Sequence, residues 1–195
     1  MLLRLMTHSI AACAIAVATL SVAFANPFMY QDDRYTGGAP LGQGMFGTSS
    51  VPRSMVSYPS KERPGTIIVN TRERRLYYLL GEGRAIRYGI GVGRDSFTWS
   101  GVKTVSQKRE WPSWTPPEQM LQRRPDLPRF MPGGPDNPLG ARALYLGSTL
   151  YRIHGSNEPE TIGQAVSSGC FRMTNADVVD LYNRVRVGTK VVVQQ

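Results

Sequence analysis

His154 and Cys170 stand 16 residues apart, the first after a β-rich run and before Gly155, the second inside Ser167-Ser168-Gly169-Cys170. A cysteine attacks as its thiolate, and an ordinary thiol titrates near ~8.5, so at neutral pH it needs a base or a dipole beside it. An imidazole brought to the thiol by the fold would serve as that base. Gly169 tolerates dihedrals that L-residues avoid, which makes the successive N–H groups of Gly169 and Cys170 candidates to hold an oxyanion. The chemistry in view is attack by a cysteine thiolate with an oxyanion to be stabilised. The rival reading makes Cys170 a small buried hydrophobe and His154 an ordinary strand-end residue, and each residue taken alone favours it.

The start of the chain narrows that choice. Arg4 supplies a positive n-region, Ile10 to Leu20 is apolar apart from Thr19, and Ala23-Phe24-Ala25 offers the small residues that signal peptidase reads. Residues 1–25 are therefore expected to be a cleaved signal peptide, with cleavage after Ala25. Its removal takes away Arg4, His8 and Cys13, and leaves Cys170 and His154 as the one cysteine and the one histidine of the exported chain. A single cysteine in an exported protein has no internal disulfide partner, so its thiol is buried and inert, paired between molecules, or reactive. A papain-like protease fits poorly, since the cysteine follows the histidine and the local cysteine signature of that family is missing.

The elements that must position this pair are mostly strands. Residues 26–61, rich in Gly, Pro and Ser, keep no period and read as a flexible leader. Beyond them, Thr66 to Val69, Leu76 to Leu80 and the alternation of Ile86, Tyr88, Ile90 and Val92 predict strands, with a turn at Gly81-Glu82-Gly83. A further strand is expected over Trp99 to Glu110. Three prolines exclude a regular helix over Trp111 to Pro117; a short helix over Glu118 to Arg124 and a long loop over Pro125 to Gly140 follow. Ala141 to Leu146 and Thr149 to Ile153 read as a hairpin with a two-residue Gly147-Ser148 turn that delivers the chain to His154. The clearest helix is capped by Thr174, with Val178, Leu181, Tyr182 and Val185 on one face, Gly188 as its stop, and a closing strand over Thr189 to Val193. The result is one mainly β domain over 62–195. Gly89-x-Gly91-x-Gly93 has no helix after it, so it reads as close strand packing and not as a dinucleotide loop.

Composition agrees with a packed exported domain. Hydrophobic residues form 41% and charged residues 19%, too apolar and too weakly charged for a disordered chain, and the net charge of +9 calls for an anionic milieu. The basic residues are dispersed and the chain is exported, so nucleic acid is not expected as a partner.

His154-Gly155-Ser156 followed by Ser167-Ser168-Gly169-Cys170-Phe171-Arg172-Met173 resembles the signature of the L,D-transpeptidase catalytic domain (YkuD-like) family of cell-wall enzymes. The likeness runs from about Arg63 to Val193, through Glu110-Trp111-Pro112, Asn137-Pro138-Leu139-Gly140 and Tyr151-Arg152-Ile153. It implies a β-sandwich or barrel-like domain with a short C-terminal helix and long loops. It also implies a cysteine-dependent acyltransferase active in peptidoglycan biosynthesis, cell-wall biogenesis and cell shape. In that reading Cys170 is the nucleophile and His154 its base, oriented by the Gly155 carbonyl, with Gly169, Ser168 and Arg172 at the oxyanion or substrate. The nucleophile attacks the third residue of a tetrapeptide stem and releases D-Ala. Ser168 departs from the pattern, because many members carry a second histidine there. The resemblance implies no metal and no cofactor. The implied partners are peptidoglycan stems, an envelope protein as a second acceptor class, and carbapenem-type β-lactams as covalent inhibitors; the implied location is the periplasm. Two alternatives share these residues: an L,D-carboxypeptidase or crosslink hydrolase, with water as acceptor, and a non-catalytic wall-binding domain.

Overall fold

The computed structural model describes residues 51–195; the expected signal peptide and the leader up to residue 50 lie outside the described residues. Eleven strands are described: β1 (Ser54–Ser57), β2 (Ile67–Asn70), β3 (Arg75–Gly81), β4 (Arg84–Gly89), β5 (Val92–Gly93), β6 (Gly101–Glu110), β7 (Arg142–Leu146), β8 (Arg152–His154), β9 (Ala165–Ser167), β10 (Phe171–Arg172) and β11 (Lys190–Gln194). Two helices, α1 (Glu118–Arg123) and α2 (Asn175–Arg184), accompany them. Nine strands form one sheet in the order β1-β4-β3-β2-β11-β6-β7-β8-β10, and β5 pairs with β9 beside it. Only β2–β11 and β8–β10 are parallel within the large sheet.

The long strand β6 folds this sheet into two layers. Its first half pairs with β11 over Gly101 to Thr104 and its second half with β7 over Val105 to Glu110, with a register shift between Val105 and Gln107. A bulge raises local twist and turns a strand, and Val105, the one buried residue of β6, sits at this bend. Between the layers lies the larger of two apolar clusters, which includes Ile67, Leu76, Tyr88, Leu144, Ile153, Phe171 and Val191; Ile68, Tyr77, Leu79 and Ala85 form the smaller one. Val178 and Leu181 of α2 and the adjoining Val185 seal the larger cluster, as expected for a helix with one apolar stripe.

Both ends of α2 are tied down. The Thr174 hydroxyl accepts from the Asp177 N–H at 3.2 Å, which fixes the N-cap. At the other end the Lys108 ammonium donates to the Tyr182 and Val185 carbonyls, each at 2.6 Å, and lies over the Tyr182 ring. A cation at the carbonyl end of a helix meets both its orphan acceptors and its dipole. On the flank, the Tyr88 hydroxyl donates to Asp180 at 2.6 Å, and Arg184 grips the same carboxylate with two bonds of 3.0 Å.

Four details differ from the sequence reading. Ser54–Ser57, inside the stretch read as leader, pairs as an edge strand with β4; four residues between Pro52 and Pro59 are too short to show a period. The strand through Ile86 to Val92 breaks after Gly89, because Ile90 and Gly91 turn away to bond Arg74 and Arg172. Trp99 lies outside β6, held instead against Tyr151. The turn after β7 spans Gly147 to Leu150, with the Thr149 N–H and hydroxyl both donating to the Leu146 carbonyl, so it is a four-residue loop.

Candidate active site

β8 and β10 bring the two chemically interesting residues together. Their parallel register sets Phe171 opposite Ile153 and Arg172 opposite His154, so Cys170, just before β10, meets the chain at Arg152. Two short parallel strands need a crossover between them, and residues 155–170 supply it. Cys170 and His154 both line a cleft of about 960 Å³.

His154 is buried, and its Nδ1 lies 2.6 Å from the Gly155 carbonyl. A carbonyl only accepts, so Nδ1 carries the proton and Nε2 is left as the acceptor. Burial holds the imidazole pKa down to about 3, and the nearby Arg172 charge adds to this; the Gly155 and Leu139 carbonyls act in the opposite direction. His154 is thus a neutral base at physiological pH. Asn175, the first residue of α2, fixes its surroundings. The Asn175 Oδ1 accepts from the Ala141 N–H at 2.9 Å and packs so closely on Gly140 and Gly155 that a Cβ on either glycine would strike it.

Cys170 is half-buried, its Sγ donating to the Leu150 carbonyl at 3.6 Å. Burial pushes its thiol up, while Arg152, through backbone N–H, side-chain N–H and charge, and Arg172, through charge, pull it back. At rest the cleft thus holds a neutral thiol and a neutral imidazole. Gly169 has φ +101°, and a Cβ there would come within 2.6 Å of the Tyr151 ring, so only glycine fits. Its amide is not free as the sequence reading expects, but is engaged within its own loop. The Gly169 N–H donates to Ser167 Oγ at 3.2 Å, and the same hydroxyl donates to the Cys170 carbonyl at 2.6 Å. Of the two N–H groups the sequence reading singles out, that of Gly169 is thus occupied by Ser167, whereas the Cys170 N–H meets no acceptor among the described residues.

Ser168 lines the cleft, as does Arg172, which forms a 2.7 Å ion pair with Glu158. The Arg172 backbone is pinned by reciprocal 2.9 Å bonds with Gly91. Residues that sequence reasoning missed complete the site. Arg152 lies beside the thiol, stacked over Tyr145, and its residue type in a strand carried no signal. Arg94, Arg123 and Arg124 join Arg152 and Arg172 in the cleft wall, against Asp136 and Glu158, so part of the basic surplus that looked dispersed converges here. Arg94 and Arg123 face the Phe97 ring at 5.7 and 5.4 Å and link α1 to the opposite wall. Of the three tryptophans, Trp114 lines the cleft.

A folded-over β sheet with a histidine at the end of one short strand and a cysteine just before its parallel neighbour, at one arginine-lined cleft, defines the class of domain. Residues 64–193 match the family model of the L,D-transpeptidase catalytic domain, YkuD, and the chain belongs to that family. It is 40% identical over 151 residues to the protein named "Probable L,D-transpeptidase ErfK/SrfK" of Escherichia coli K12, covering 73% of this chain and 47% of that one. It thus spans about half the length of the curated relatives it matches. Among solved structures, a Brucella melitensis protein named "Probable carnitine operon oxidoreductase caia" is 44% identical, covering 75% of this chain and 96% of that chain, with a TM-score of 0.51. An L,D-transpeptidase from Mycobacterium smegmatis shares the fold at 16% identity, TM-score 0.54, covering 67% of this chain and 58% of that chain. The mainly β fold and the family read from the His-Gly and Ser-x-Gly-Cys-x-Arg elements both stand.

Proposed function

We propose that the protein is a peptidoglycan L,D-transpeptidase with Cys170 as nucleophile and His154 as general base. The observation that carries this is the His154 geometry: Nδ1 is committed to the Gly155 carbonyl, which leaves Nε2 as a neutral acceptor in the same cleft as the thiol. Because thiol and imidazole both rest uncharged, the proton passes from Sγ to Nε2 as sulfur attacks the carbonyl of the third stem residue. The oxyanion that forms is held by the Cys170 N–H. Collapse breaks the bond to D-Ala, and His154 returns the proton to the departing amine. An acceptor amine then attacks the thioester, gives its proton to His154, and frees the thiol. The acceptor is an amine of a second stem, forming a 3–3 crosslink, or of an envelope protein.

The arginine-lined cleft supports an anionic donor, since stem peptides carry free carboxylates that guanidinium groups bind bidentately. The oxidoreductase name of the Brucella structure is not carried over: Gly91 and Gly93 pack on Arg172 and on the Gly169 loop, and the chain passes next into a three-residue 3-10 turn at Asp95–Phe97. The signal peptide expected over residues 1–25 supports a periplasmic location. Acylation of Cys170 by carbapenems belongs to the same reading; among structural relatives, one M. tuberculosis L,D-transpeptidase is described with a faropenem-derived adduct.

The test is intact-mass spectrometry of the exported form incubated with a tetrapeptide-stem muropeptide. The expected adduct equals the stem less D-Ala, is absent in Cys170→Ala, and forms slowly in His154→Ala. Folded, reduced protein that gives neither adduct nor D-Ala release would overturn the proposal.

A further inference from the structure

Trp99 lies behind the loop that carries Cys170. Its indole Nε1–H donates to the Gly169 carbonyl at 2.9 Å. The ring stacks on Tyr151 with centroids 4.6 Å apart and planes 13° apart, and tilts against Phe171 at 5.6 Å. Tyr151 in turn presses on Gly169, and Gly93 closes the other side, where a Cβ would come within 3.1 Å of the Gly169 Cα. The Gly169 carbonyl is thus fixed in direction by one hydrogen bond and in position by an aromatic stack.

That carbonyl shares a peptide unit with the Cys170 N–H. The described chain has no cis peptide, and in a planar trans unit the C=O and the N–H point in opposite directions. With the oxygen aimed at Trp99, the Cys170 N–H points away from it, on the side of Cys170, which lines the cleft. Gly169 at φ +101° is the flexible joint of this arrangement, since a glycine can rotate this peptide at little steric cost. We propose that Trp99 is a positioning residue for the oxyanion hole: its indole N–H sets the plane of the 169–170 peptide and so aims the Cys170 N–H at the oxygen of the substrate carbonyl. This rests on the reading of Cys170 as an acyl-transfer nucleophile. An oxyanion donor helps only if it is aimed before charge develops, which is why a hydrogen bond on the far end of the same peptide matters for rate. Trp99 touches no reacting atom.

Two reactions of the same sulfur separate this role from simple structural support. In acylation by meropenem, Sγ adds to the lactam carbonyl carbon, an oxyanion forms, the ring C–N bond breaks, and the ring nitrogen takes the thiol's proton. In alkylation by iodoacetamide, Sγ displaces iodide and no oxyanion develops. Replacing Trp99 with 3-benzothienylalanine keeps the bicyclic ring and removes the N–H; Trp99→Phe is the simpler second variant. The expected result is acylation slowed about 10- to 100-fold, below the loss typical for deleting a whole donor, with kcat on the stem peptide falling and KM unchanged. Alkylation should stay within about 2-fold of wild type, as expected when only the oxyanion donor is misaimed. Unchanged acylation in the benzothienyl variant overturns the proposal, and so does an equal fall in both reactions. If wild-type protein is alkylated but acylated by neither meropenem nor the stem, the function proposed above fails and this inference falls with it. Normal wild-type acylation with unaffected variants defeats the Trp99 role alone.

Discussion

Acidification from pH 7.5 to pH 5 sets the folded and unfolded chains against each other at His154. In the unfolded chain the imidazole takes its proton as the pH falls through about 6.5, whereas in the fold burial and the Arg172 charge hold its pKa down to about 3. Below pH 6.5 the unfolded state therefore binds more protons, and stability falls as pH falls, down to the folded pKa. The contribution is negligible at pH 7.5 and reaches about 2 kcal/mol of destabilisation at pH 5. Urea unfolding of wild type and His154→Gln at both pH values isolates it, because the carboxylates titrate alike in the two proteins. Glutamine keeps an N–H for the Gly155 carbonyl and binds no proton. Wild type should lose about 2 kcal/mol more than the variant between the two pH values. A difference below about 0.5 kcal/mol, within the scatter expected for coupled sites, or one of opposite sign, would refute the neutral, desolvated imidazole on which the mechanism rests.

Other consequences follow from the same contacts. Burial raises the Cys170 thiol, so iodoacetamide alkylation should keep accelerating with pH beyond the usual thiol range; Arg152→Met, which removes a nearby charge and donor, should move that profile further up. Stopped-time mass spectrometry across pH reads both. Lys108→Met strips the α2 carbonyl end of its two hydrogen bonds and its cation, and should lower stability by about 1–3 kcal/mol in urea unfolding with little effect on alkylation. Asn175→Ala should weaken the fold by about 1–3 kcal/mol and also slow thioester formation, because the Gly155 carbonyl that orients His154 loses its backing.

What the sequence made legible was what is local in the chain. The Thr174 cap and the apolar Val178 and Leu181 are local to α2 and made its start legible; its end was not, since the helix stops at Arg184 with Val185 already extended, short of the Gly188 read as its stop. His154 and Cys170 stood out by type, because each is one of only two such residues in the sequence and the other lies in the expected signal peptide. The unread parts depend on contacts distant in the chain. β8 and β10 have three and two residues, too few for a period, yet their parallel pairing is what joins the two site residues. Arg152 and Ser167 stood inside the motifs, but what each one touches depends on the folded loop and could not be read from spacing. Nothing in a lone tryptophan before a polar strand announces that it bonds a glycine carbonyl 70 residues away. The bend of β6 at Val105 was equally hidden, since a bulge is defined by its partner strand.

These distant contacts explain why the proposed nucleophile sits in so constrained a loop. Burial alone would leave a protonated thiol and a neutral imidazole, an inert pair. Four neighbours turn it into a poised one: Gly155 commits the tautomer, Ser167 draws the Gly169 N–H inward, Trp99 holds the Gly169 carbonyl back, and Arg152 favours the thiolate once it forms. Since neither partner is charged at rest, the barrier is set by how well charge is received as it appears on sulfur, imidazole and oxyanion together. Substitutions around the loop should therefore depress acylation much more than they depress alkylation.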